Sequence, residues 1–325
     1  MNRHRRGGTL VALATLIAPI SWGTTYITIT ELLPAGRPLL VAALRVAPAA
    51  IVLLLAGMLR SRWRPHGAEW GRIGILAMLN FGIFFPLLVV AAYRLPGGVA
   101  AAAGGLQPLL VGLLTWIVVG RRPRRIDIVV GVVAAIGVGL VVIRPGAGFD
   151  TVGLVAAVVA NLSFAAGVVY TKRFPVTPNR VASTGWQLLI GAAFLVPLAL
   201  IVEGMPPAPT TRNLVGFAYL SLVGTALAFL LWFNGVRRLP AQAPPLLGLA
   251  APITGAVAGW LVLSESLSAA QIVGFAVTVG AIAYGATMAD RPATETLAPM
   301  GAPPLVGAPN GAVDASALPA AESTR

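Results

Sequence analysis

The chain contains no cysteine and only two histidines, His4 and His66, both in polar stretches. Disulfides and thiolate metal centres are thereby excluded, and a zinc or haem site would have too few ligands, so no metal or other cofactor is expected. Charge is scarce as well: 10% of the 325 residues are Asp, Glu, Lys or Arg, where a soluble domain carries about a quarter. With 57% hydrophobic residues and a mean hydropathy of +0.86, the chain cannot cover its own surface in water and belongs in a bilayer. Acids are rarest, ten against 23 Lys and Arg, for a net charge of +13. The cations stand in short clusters between apolar runs rather than along one polar face, so nucleic acid is not an expected partner. No GxxxxGK[ST] stretch is present, which argues against ATP-driven pumping by this chain alone.

What the chain has in abundance is apolar runs of spanning length. A hydrocarbon core about 30 Å thick needs about 20 apolar residues of helix. The pattern predicts ten such helices: Thr9–Ile29, Pro38–Leu59, Ile73–Ala92, Gly97–Val119, Ile126–Ile143, Thr151–Tyr170, Val181–Val202, Leu214–Phe233, Ala241–Leu263 and Ala269–Met288. The fold class is therefore all-α and integral to the membrane. The basic start (Arg3, Arg5, Arg6) before an apolar run has the outline of a signal peptide, but that run is long enough to span and reads as a signal-anchor and first helix. Beyond Asp290 the chain is rich in Pro, Ala, Gly, Ser and Thr, and is expected to be a disordered tail, residues 290–325.

Orientation follows from the cations, which are retained in the cytoplasm when they stand in short loops. One set of alternate connections holds 17 of them, including Arg60, Arg62, Arg64, Arg121, Arg122, Arg124, Arg125, Lys172, Arg173, Arg180, Arg237 and Arg238. The other set holds four, Arg37, Arg94, Arg144 and Arg212. Both termini are thus expected on the cytoplasmic side of the cytoplasmic membrane.

The chain also repeats itself. Arg94, Leu95, Pro96, Pro108 and Trp116 return as Arg238, Leu239, Pro240, Pro252 and Trp260, each 144 residues further along. A shared offset across five positions indicates internal duplication. At an offset of 142, Ser21 matches Ser163 and Arg45 matches Gln187. Five helices per unit is an odd number, so the copies, residues 9–144 and 150–289, are expected to lie inverted in the membrane after a short basic N-terminus, residues 1–8. The RRPRR connection at 121–125 is cationic and its counterpart SESLS at 264–268 is not, which agrees with inversion. Pro108 and Pro252 fall well inside their predicted helices and are expected to bend them.

Polar groups inside apolar spans are the candidate functional residues. Arg45 lies about 12 Å into the second helix, at 1.5 Å per residue. It either attracts an anionic group or is a structural cation bonded to carbonyls or to Glu31. Asn80, Gln107, Asn161 and Gln187 carry amides that lipid does not solvate, so they are expected to face the bundle interior, for helix–helix hydrogen bonds or for a solute. Gln107 precedes Pro108, whose missing donor would free a carbonyl near it. Trp22 and Tyr26, one helical turn apart, form a candidate platform for an aromatic or cationic solute, whereas Trp63, Trp70, Trp116, Trp186, Trp232 and Trp260 fit an interfacial belt. No acid lies deep inside a span. Glu31 and Glu265 are the candidates for a coupling or gating role, and facilitated diffusion or exchange is the expected mode.

Ser21-Trp22-Gly23 in the first helix, Arg45 in the second, Pro108 and Pro252, and Glu265 ahead of Gln271–Gly274 stand in the order of a known family. The chain resembles the EamA-type branch of the drug/metabolite transporter superfamily over about Thr9 to Met288. One departure is Arg121, which stands where the family repeats its glutamate. The resemblance implies a ten-helix basket with a central cavity, moving small metabolites, amino acids or drug-like compounds by alternating access, often outward, and no enzymatic activity. Its expected partners are a small-molecule solute and the lipid bilayer, with monomer and homodimer both open. The rivals are a non-transporting scaffold or accessory subunit and, further off, an integral membrane enzyme.

Overall fold

The computed structural model describes residues 2–95, 104–120, 122–142, 150–175, 177–241, 243–263 and 268–288. Among them every regular element is helical: α1 (Asn2–Gly23), α2 (Thr25–Leu32), α3 (Pro38–Arg60), α4 (Ala68–Ala77), α5 (Phe84–Arg94), α6 (Gln107–Val119), α7 (Arg125–Val142), α8 (Thr151–Arg173), α9 (Arg180–Glu203), α10 (Thr211–Ser221), α11 (Ala228–Arg238), α12 (Ala243–Gly248), α13 (Ala250–Leu263) and α14 (Ala269–Met288). Among the described residues, six helical stretches are long and apolar enough to cross a membrane: Gly8–Leu32, Pro38–Arg60, Ala68–Arg94, Thr151–Arg173, Arg180–Glu203 and Thr211–Arg238. Gln107–Val119 is a shorter apolar helix, and Ile272–Ala281 is an apolar stretch within α14. Large apolar side chains such as Leu55, Ile117, Ile136, Val155 and Ile201 point outward and are exposed, the reverse of a soluble protein and the surface a lipid-facing bundle requires.

Several spans differ from the sequence expectation. The first is broken at Thr24, between α1 and α2, and its helix starts at Asn2. Pro108 does not bend the middle of a helix. It sits in the first turn of α6, where its missing N–H has no intrahelical acceptor to lose. Likewise the run Ala241–Leu263 is broken at Leu249, and Pro252 falls in the first turn of α13. Both prolines therefore start a helix after a break. Residues 290–325 and Glu265 lie outside the described residues.

Two π-helical turns interrupt otherwise continuous helices, Met78–Gly82 between α4 and α5, and Leu222–Leu227 between α10 and α11. They start 144 residues apart, the offset of the sequence repeat. A π-turn widens the helix and turns backbone carbonyls away from their usual i+4 donors, leaving them for side chains. Here Leu79 O accepts from Ser163 Oγ at 2.8 Å, and Gly224 O accepts from Trp22 Nε1 at 3.0 Å. Each wide turn thus receives a donor from a helix of the other half of the chain.

The antiparallel helices α3 and α9 pack closely along their length. Gly57 and Gly185 allow it: a Cβ on Gly57 would lie 2.6 Å from Ala182 N, and one on Gly185 2.8 Å from Leu54 N. Side chains lock both ends. Glu203 accepts from Leu39 N at 2.7 Å and Leu40 N at 2.9 Å, satisfying first-turn donors of α3. At the other end Asn179 accepts from Ala182 N as the N-cap of α9 and donates to Gly57 O at 2.7 Å. Glu203→Ala leaves two amides without acceptors, so it is expected to cost about 1–3 kcal/mol, read as a lower melting temperature in detergent, with Glu203→Gln in between.

Asp150 caps α8, its Oδ1 accepting from Gly153 N at 2.7 Å while Oδ2 pairs with Arg94 Nη1 at 3.2 Å. The Gly153 amide, and secondarily Arg94, hold its carboxyl below the ordinary range. A depressed folded value means that its contribution is complete above the unfolded carboxylate range and is lost as pH falls through the folded value. Asp150→Asn keeps a capping oxygen but cannot titrate. Its melting temperature is expected to fall less steeply than that of the wild type on acidification through that window.

Candidate functional site

The helices line a partly open cavity of about 110 Å³ whose walls come from both halves of the chain. Trp22, Thr25 and Tyr26 approach from α1 and α2, Arg45 from α3, Phe84, Phe85 and Leu88 from α5, Asn161 and Phe164 from α8, and Trp232 from α11. The broken segments complete it with Gly104, Gln107, Pro245, Gly248, Ala251 and Pro252. Small residues and helix ends line this side, so the breaks at α6 and α12–α13 leave room that continuous helices with large side chains would fill.

Arg45 is 1% exposed and, among the described residues, is the one charged residue in the cavity wall. Its Nε donates to Thr225 Oγ1 at 2.8 Å, its Nη2 to Gly224 O at 2.9 Å, and its guanidinium stands 4.3 Å from the Phe85 ring centroid. The π-turn supplies both acceptors, and Thr225 in turn donates to Leu220 O at 2.8 Å. Glu31, the other partner considered, instead pairs with Arg212 at 3.5 Å near the protein surface. Among the described residues no carboxylate lines the cavity. Three buried donors around it have no partner: Arg45 Nη1, Thr25 Oγ1 and Trp232 Nε1.

Rings make up the apolar wall. Trp22 stands 5.7 Å from Phe164, 5.0 Å from Phe229 and 5.1 Å from Trp232, while Phe84 stacks on Phe164 at 4.8 Å. With its indole N–H fixed on Gly224 O, Trp22 holds one orientation, as a recognition surface requires. Gln107 Nε2 donates to Asn161 O at 3.0 Å and Oδ1 at 3.1 Å, and Asn161 Nδ2 to Ala157 O at 2.8 Å. That amide pair ties α6 to α8 at the cavity edge, at the beginning of α6 rather than at a mid-helix bend.

Five sequence candidates, Trp22, Tyr26, Arg45, Gln107 and Asn161, therefore meet in one cavity. Asn80 and Gln187 do not. Asn80 is fully buried in the first π-turn against Gly167, where a Cβ would lie 2.1 Å from Asn80 Oδ1, and Gln187 lines a separate pocket. Trp232 was expected at the membrane interface but is 2% exposed at the cavity, because α11 continues to Arg238 and places it a turn and a half inside. Phe164 also lines the cavity, and its sequence signal is that it matches Trp22 at the same offset of 142 as Ser21 and Ser163. Trp70 and Trp116 keep an interfacial character, each more than two-fifths exposed.

Comparison with known proteins places this geometry. The model of the EamA-like transporter family matches the chain twice, over residues 9–143 and 151–284. The protein PecM of Dickeya dadantii is 40% identical over 259 residues, covering 79% of this chain and 86% of its own length. The uncharacterized transporter YwfM of Bacillus subtilis is 29% identical over 272 residues, covering 83% of this chain and 91% of its own. A solved crystal structure superposes with a TM-score of 0.72 over 87% of this chain and 98% of that one, at 21% identity, a likeness of fold.

Proposed function

The chain belongs to the EamA-like transporter family of the drug/metabolite transporter superfamily, and from that premise we propose that it exports a small solute through the Arg45-lined cavity by alternating access. Ten crossing helices form two inverted five-helix units, residues 9–144 and 150–289, with both termini in the cytoplasm. The twofold family match and the two π-turns at a common offset support this arrangement.

The solute carries an acceptor-rich or anionic group on an apolar or aromatic body. The observation that carries this reading is the set of unpaired donors, Arg45 Nη1, Thr25 Oγ1 and Trp232 Nε1, at a wall otherwise made of rings. A buried donor without a partner costs about 1–3 kcal/mol, and a ligand oxygen recovers it. Among the described residues the lining holds no Asp or Glu, and this supports facilitated diffusion or exchange as the coupling mode. Proteoliposomes loaded with carboxylate-bearing aromatic and aliphatic compounds test both points. Uptake or release that equilibrates without a pH gradient is the expected result; accumulation driven by a proton gradient refutes the facilitator mode, and preference for cationic solutes refutes the proposed chemistry. Trp22→Ala, which removes the fixed ring, is expected to lower transport about tenfold, the loss of one aromatic contact worth about 1.4 kcal/mol.

A further inference from the structure

A second, polar pocket lies apart from the central cavity, where the C-terminal end of α8, the start of α9 and the last turns of α11 converge. Two guanidinium groups, Arg180 and Arg237, line it, and no carboxylate does among the described residues. Arg180 Nη1 donates to Asn234 Oδ1 at 2.9 Å, which fixes the cation at the wall without neutralising it. Three polar atoms in the lining are buried without a partner: Thr171 Oγ1, Thr177 Oγ1 and Gln187 Oε1. Thr171 is 1% and Gln187 2% exposed, so bulk water does not reach them. The pocket's volume, about 10 Å³, accommodates one particle of the size of a water molecule.

Charge distinguishes the possible occupants. A water molecule would satisfy the hydroxyls but leave two like charges facing one small space of low dielectric, where their repulsion is weakly screened. The hydroxyls of Thr171 and Thr177 can donate, and the Gln187 amide presents either its oxygen or its NH2 to the pocket by a half-turn. The geometry points to an anion site: one halide ion, or one oxygen of a phosphate group, sits between Arg180 and Arg237 and accepts from Thr171 and Thr177. It joins the ends of α8, α9 and α11 and lies on the side that the cation count assigns to the cytoplasm, where chloride, free phosphate and lipid headgroups all supply such an atom.

The test uses the full-length protein in nanodiscs of zwitterionic lipid, with melting temperature compared in sodium chloride, sodium phosphate and sodium gluconate at equal ionic strength. Chloride or phosphate is expected to raise the midpoint over gluconate by about 2 °C, as a ligand near ten times its Kd would for a chain of this size. The rise is expected to vanish in Arg237→Gln and to shrink in Thr177→Val. Bromide-soaked crystals should show anomalous density between the two arginines. If only nanodiscs containing anionic lipid raise the midpoint, and Arg237→Gln abolishes that rise, the anion is a lipid headgroup and the site stands. Equal midpoints in every arm, a rise that persists in both variants, or bromide density absent from this pocket would mean that water fills it, and the inference fails. Should Arg237→Gln not fold, Thr177→Val carries the same comparison. Stability and scattering are read without any transport assay, so the result is independent of the solute.

Discussion

Arg45→Ala is expected to lower solute transport by about 100-fold or more, the largest functional loss of any single change in the cavity. Truncating a buried charge that meets its partner costs about 2–5 kcal/mol, and each 1.4 kcal/mol is a factor of ten in rate or affinity. Two losses combine. The solute's anionic group loses the unpaired Nη1, and the second π-turn loses the donor to Thr225 Oγ1 and one of the two donors to Gly224 O, which keeps Trp22 Nε1. Arg45→Lys separates them: it keeps a charge but not the forked geometry that reaches two acceptors and still leaves one nitrogen for the cavity. Its transport should fall between wild type and alanine, with a KM effect larger than the loss in maximal rate. Initial rates in proteoliposomes, corrected for the amount of folded protein, provide the measurement. Wild-type rates in the alanine variant would make Arg45 a purely structural cation and remove the anionic group from the proposed solute.

That Arg45 turns into the bundle was legible in the sequence because a cation deep in an apolar run has few places to go. Its partners were not legible. They lie 179 and 180 residues away, in a π-turn that leaves no mark in composition or periodicity, since LVGTAL reads as ordinary apolar helix. Glu31 was the nearest acid in sequence, but its helix carries it to the surface beside Arg212. The same limit explains Trp232. Hydropathy ended its span at Phe233, whereas the helix continues through Arg237 and Arg238, whose charges lower the window average without ending the hydrogen-bonded ladder. The prolines misled for the opposite reason: a proline in an apolar run of spanning length fits a bent helix or two abutting ones, and only the backbone distinguishes them. Asn80 and Gln187 show how an amide in a span is ambiguous, one buried in a packed turn and the other in a separate pocket.

The seam between α3 and α9 yields the largest expected effect on folding, in Gly57→Leu. A side chain there meets the backbone of Ala182, with N at 2.6 Å and Cα at 2.7 Å from the first added carbon, and backbone has no rotamer by which to withdraw. Packed helix interfaces accommodate extra methylenes only by separating, which typically costs about 1–3 kcal/mol and more where main chain meets main chain. Separation also stretches the Asn179–Gly57 and Glu203–Leu39 hydrogen bonds that clamp the two ends, so their contributions fall together. Gly57→Ala, with only the first carbon, already clashes and should melt several degrees below wild type, while Gly57→Leu should yield little folded protein. Gly71→Ala is the control: it sits in α4 with nothing within 4 Å of the added carbon, so only helix propensity changes, and by about 0.5–1 kcal/mol in favour of the variant. Melting temperature and the monodisperse fraction in size-exclusion chromatography should rank Gly71→Ala at or above wild type, then Gly57→Ala, then Gly57→Leu. Equal stability of Gly57→Leu and wild type would mean that the two helices do not approach as closely as this packing requires.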